Sequence, residues 1–98
     1  MKYRLEYIST FHAEMPPIAD YLAEYPRKAA RIFAKIDKML TSLEDMPELC
    51  PVYRYASAYR FFTVEDYLVL YKVKHQDSVV EVHHLFNGRM DILARLKD

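Results

Sequence analysis

The chain has 98 residues, with 14 Lys plus Arg against 14 Asp plus Glu. That length suits a single domain over residues 1–98, which buries about two thirds of its unfolded surface without staples. Zero net charge argues against strong direct binding to nucleic acid, which needs several uncompensated cations. One cysteine, Cys50, excludes an internal disulfide framework and a zinc site built on cysteines alone.

The opening MKYRLEYIST alternates charge and apolarity and is not read as a secretion signal. No apolar run reaches the roughly 20 residues of a membrane helix, so a cytoplasmic location without membrane contact is expected. Residues 2–8 read as a strand, with Tyr3, Leu5 and Tyr7 on one face. Ser9 and Thr10, both helix-capping types, are expected to end it. Pro16 and Pro17 argue against a continuous helix from Phe11, so a short helix is expected over residues 17–24.

Pro26 opens a second, longer helix over residues 26–44. Ala29, Ile32, Phe33, Ile36, Met39, Leu40 and Leu43 form its apolar stripe. Lys28, Arg31, Lys35 and Lys38 fall outside the stripe and read as a solvated face rather than a nucleic-acid site. The two helices make an αα-hairpin joined around Tyr25.

Strands follow over residues 59–64, 67–74 and 79–86, with a turn at Glu65-Asp66 and a loop over residues 75–78. Val, Leu and Tyr enrichment puts residues 67–74 at the sheet centre. A closing helical turn is expected over residues 90–97. Gly88 is the only glycine, expected where the backbone needs the freedom to take positive φ. The fold class is α+β, in the order β-α-α-β-β-β. Three strands can form an antiparallel meander, the first strand joins them, and the hairpin covers one face of the antiparallel twisted sheet that results.

Candidate chemistry is thin. His83-His84 on the last strand would place one imidazole on each face, and either could be a general base near Arg60, Lys72 and Arg89. A strand histidine at a polar edge is the plainer reading. His12, Glu14, Asp20 and Glu24 match no ligand spacing, and no metal or cofactor is expected. Tyr53, Arg54, Tyr55 and Arg60 combine residue types favoured at protein interfaces. With Lys72 and Arg89 they are the candidate partner-binding set, although packing explains most of the nine tyrosines.

YRLEYIS with IADYLAEYP, YRFFTVEDYLVLYKV and VVEVHHLFNGRMDI, taken in order, resemble the RelE/ParE toxin superfamily over almost the whole chain. The resemblance implies a bacterial type II toxin of the plasmid-stabilisation kind, silenced by a cognate antitoxin. One branch cuts messenger RNA on the ribosome; the other poisons DNA gyrase. The ribonuclease branch carries cations where this chain has Arg60, Phe62, Leu68, Arg89 and Met90, and a tyrosine where it has Leu96. Four of those six positions are apolar here, which favours the ParE-like, gyrase-directed branch and weighs against catalysis. The alternatives are a ribosome-dependent ribonuclease using Arg60, His83, His84 and Arg89, and a non-toxic member that only binds its partner.

Overall fold

A computed structural model describes residues 2–88. The elements in chain order are β1 (Arg4–Tyr7), α1 (Ser9–Leu22), α2 (Pro26–Asp45), β2 (Arg60–Val64), β3 (Tyr67–Lys74) and β4 (Val79–Asn87). Arg89, Met90, Leu96 and the turn expected over residues 90–97 lie outside the described residues.

The four strands form one sheet in the order β1-β4-β3-β2. β2, β3 and β4 make the expected antiparallel meander. β1 joins at the free edge of β4 and runs parallel to it, Arg4 opposite Val79 and Tyr7 opposite Val82, so the sheet is mixed and not antiparallel throughout as expected. The intervening helices supply the crossover that a parallel pair requires. β3 does sit inside the sheet, and β4 shares the centre with it.

The helical hairpin covers one face. Ile32, Ile36, Leu40 and Leu43 of α2 are buried with Phe11, Ile18 and Leu22 of α1 against Val69, Tyr71, Val80, Val82 and Leu85. Burial of this interleaved apolar surface is the main favourable term holding the fold. The opposite face is smaller. Leu68, Leu70 and Phe86 are buried there beneath Tyr53, Tyr59 and Phe61.

α1 departs from expectation. It begins at Ser9, after an N-cap at Ile8 with no side-chain cap, and runs through Pro16 and Pro17 as one helix. Proline removes the hydrogen bond to the carbonyl four residues back, here those of His12 and Ala13. Those two residues and both prolines are exposed, so water can satisfy the freed carbonyls. Buried Phe11 lies before the prolines and buried Ile18 and Leu22 after them, so tertiary packing holds both halves in line.

Gly88 does not have positive φ. Its role is close approach: its N–H meets Asp66 O at 2.6 Å, and a Cβ there would lie 3.1 Å from that oxygen. The left-handed positions fall instead on Glu65 and Ser78, both at φ 53°. Glu65 is held there by a bidentate pair with Arg31 of α2, at 2.7 and 2.9 Å.

Candidate functional site

β4 carries a bulge that decides the site. Val82 stands opposite Tyr71 and His84 opposite Leu70, which leaves His83 as the extra residue. The bulge breaks the alternation of side chains. His83 and His84 therefore share the outer sheet face, rather than one facing each side. Tyr59 confirms this, because its ring lies 5.4 Å from His83 and 5.7 Å from His84.

Each histidine is held by a carboxylate. His83 Nε2 lies 3.1 Å from Glu81 Oε1, and His84 Nδ1 lies 3.0 Å from Glu14 Oε2. A carboxylate can only accept, so those nitrogens carry the proton. Glu14 Oε1 also accepts the Leu85 N–H at 3.0 Å. Thr10 Oγ1 donates to the His83 carbonyl. β1 ends opposite Val82, and from there α1 seals the outer edge of β4 with these two side chains.

Lys72, opposite Glu81 on β3, places its Nζ 4.8 Å over the Tyr59 ring. Beside it, Tyr53 packs on Phe61 at 5.3 Å and on Tyr55 at 5.6 Å, and the Arg54 guanidinium sits 4.9 Å over Tyr55. Arg54 and Tyr55 are exposed.

Arg60 is not part of this group. It stands opposite Tyr71, whose side chain belongs to the helix-side core. Its guanidinium donates to Cys50 O at 2.7 Å and to Glu48 Oε2 at 3.2 Å. It therefore ties the segment after α2 to β2, on the side of the sheet away from His83, His84 and Lys72. Phe62 is buried in the helix-side core and Leu68 under the outer aromatic cluster.

Burial, aided by Lys72 and opposed by Glu81, holds His83 below the usual histidine range. Burial raises the Tyr59 and Tyr53 phenols above theirs, which keeps them protonated near neutrality. Burial likewise raises the Cys50 thiol, the reverse of what a nucleophile needs. Among the described residues no three His, Cys, Asp or Glu side chains gather as a metal site. Around His83 the outer face thus offers a neutral imidazole, one lysine and the Tyr59 phenol hydroxyl.

The lowered value for His83 sets a pH dependence. Below the unfolded pKa of about 6.5 the unfolded chain binds the proton more readily, so stability falls as pH drops through that window. Urea titrations between about pH 7 and pH 5 should show a decline in stability that shrinks in His83→Gln. An unchanged pH slope in that variant would remove His83 as the cause.

Sequence reasoning found the histidines but not Glu14, Glu81 or the part played by Tyr59. Glu14 and His84 are 70 positions apart and no local pattern links them.

A helical hairpin packed on one face of a four-stranded mixed sheet is an arrangement found in other solved proteins. The chain is similar to a chain of the toxin–antitoxin complex RelBE2 from Mycobacterium tuberculosis, with a TM-score of 0.61 and 17% identity. That likeness covers 89% of this chain and 99% of the other, and at this identity it concerns the fold alone. A family model described as the ParE toxin of type II toxin–antitoxin system, parDE, matches residues 6–92. The chain belongs to the ParE toxin family. No curated protein matches the sequence. Among the described residues no helix is long and apolar enough to cross a membrane.

Proposed function

We propose that this protein is a toxin that acts by binding a protein target, DNA gyrase, and is silenced by a cognate antitoxin. The observation that carries the reading is the separation of Arg60 from the histidines. Cleavage of RNA by attack of a 2′-hydroxyl needs an acid, a base and clustered cations around one crowded phosphate. Arg60 is committed to Glu48 and Cys50 across the sheet, and Lys72 stands alone among described cations beside His83. Phe62 and Leu68 fill apolar packing at two further positions where the ribonuclease branch has cations.

Binding suits the surface better. Tyr53, Arg54 and Tyr55 present a rigid aromatic and guanidinium patch, the composition of interface anchors. The antitoxin reading draws on family membership and on the similar chain's origin in a toxin–antitoxin complex. One feature favours a second reading, the ribonuclease: the neutral His83 imidazole beside Lys72 and Tyr59 on the outer face.

Expression of the chain alone in a bacterium separates these readings. The expected result is growth arrest, with plasmid supercoiling lost and transcripts intact. Codon-dependent cleavage of messages with supercoiling preserved would overturn the gyrase reading. Unimpaired growth would point to a member that only binds its partner.

A further inference from the structure

Three side chains from distant parts of the chain meet where β3 turns into β4. His75 opens a one-turn 3-10 helix, His75–Asp77. Its Nδ1 lies 2.6 Å from Tyr3 Oη, and its Nε2 lies 3.1 Å from Glu48 Oε1. The Tyr3 and His75 rings meet edge to face, with centroids 5.7 Å apart. This end of the sheet is remote from Gly88, because Lys74 pairs with Val79 at one end of β3 and Tyr67 with Asn87 at the other.

Each group is fixed by its surroundings. The Tyr3 N–H donates to Glu44 O at 2.8 Å, near the end of α2. The Arg4 N–H donates to Ser78 O at 2.9 Å, and the Ser78 N–H to His75 O at 3.3 Å, which ties the turn to β1. Glu48 Oε2 accepts from Arg60 at 3.2 Å, which leaves Oε1 to face the imidazole. A carboxylate can only accept, so Nε2 of the neutral imidazole carries the proton and Nδ1 keeps its lone pair. Tyr3 Oη–H therefore donates to Nδ1. The two contacts lie on opposite ring nitrogens, so the three groups cannot converge on one metal ion.

We propose that Tyr3 is a nucleophile with His75 as its general base and Glu48 as a positioning residue, and that the Tyr3 phenol accepts an acyl group from an activated ester. A hydroxyl bonded to an imidazole whose other nitrogen is held by a carboxylate is the arrangement that activates a weak nucleophile. Tyr3 Oη bonds to the ester carbonyl carbon while its proton passes to His75 Nδ1. The bond from that carbon to the leaving oxygen then breaks, and Nδ1 returns the proton to that oxygen. The products are O-acyl Tyr3 and a free alcohol. Tyr3 is half-buried while His75 and Glu48 are exposed, so an ester can approach from solvent. A structural clasp alone would leave Tyr3 no more reactive than a free phenol. This inference is independent of the gyrase reading.

The test treats the full chain with p-nitrophenyl acetate and follows acetylation at each tyrosine by peptide mass spectrometry. Tyr21 and Tyr25, exposed at 49% and 47%, serve as internal reference phenols. Tyr3 should gain acetyl about tenfold or more faster than either near neutral pH. Its rate should level off above about pH 8, where an imidazole base is already neutral, whereas free phenols keep gaining reactivity up to about pH 10. His75→Gln should bring Tyr3 down to the reference rate and restore the continuing climb with pH. Glu48→Ala should slow Tyr3 with the plateau kept, and Glu48→Gln, which keeps an acceptor for Nε2–H, should recover part of the loss. The wild-type comparison needs no variant, so it decides the point even where His75→Gln does not fold. Equal rates at Tyr3 and the reference tyrosines, a Tyr3 rate that climbs in step with theirs to about pH 10, or an unchanged Tyr3 rate in His75→Gln or Glu48→Ala would each overturn the proposal.

Discussion

Glu14→Ala should destabilise the protein by about 2–4 kcal/mol in urea denaturation, the larger of two effects expected from α1. The Glu14 side chain is 17% exposed and serves two donors at once, the Leu85 N–H and the His84 imidazole, itself 10% exposed. Truncation strands a backbone donor and a ring N–H at the one stretch of β4 edge that β1 does not cover. Glu14→Gln keeps an acceptor for Leu85 and should cost about 1 kcal/mol. A Glu14→Ala variant within about 0.5 kcal/mol of wild type would show that water replaces both bonds, and that α1 is held by its apolar contacts alone.

Replacing Pro16 and Pro17 together by alanine should raise stability by about 1–3 kcal/mol. Both lie well inside α1, where each deletes a backbone hydrogen bond and crowds the preceding turn. Alanine restores the bonds to the His12 and Ala13 carbonyls. The gain is reduced because alanine also frees the unfolded chain, by roughly 0.4–1 kcal/mol per site. Thermal melts of the double variant provide the measurement. A lower melting temperature than wild type would mean that the prolines stiffen α1 rather than strain it.

These two cases mark where local reasoning ran out. The pattern of α2 predicts its span almost to the residue, because its apolar stripe and its packing face coincide. β3 is equally legible, since its alternation serves an interior strand packed on both faces. α1 is not, because the proline rule describes an isolated helix. In the folded chain Phe11, Ile18 and Leu22 supply packing on both sides of the interruption.

The site divides the same way. Tyr53, Arg54, Tyr55, His83 and His84 stand out by residue type, and the first three do lie together on an exposed surface. The side of the sheet each histidine occupies did not follow from its position, because one bulge residue reverses the alternation beyond it. Arg60 likewise looks free in the sequence, yet Glu48 and Cys50 hold it on the helix side.

The amino-acid sequence by itself determined the element order, the two-layer α+β class and the apolar stripes, because period and turn chemistry are local properties of the chain. Tertiary structure alone decided the parallel placement of β1, the continuity of α1, and the shared face of His83 and His84. Each of these depends on contacts between residues far apart in sequence, and no local pattern records which distant group will satisfy a buried donor.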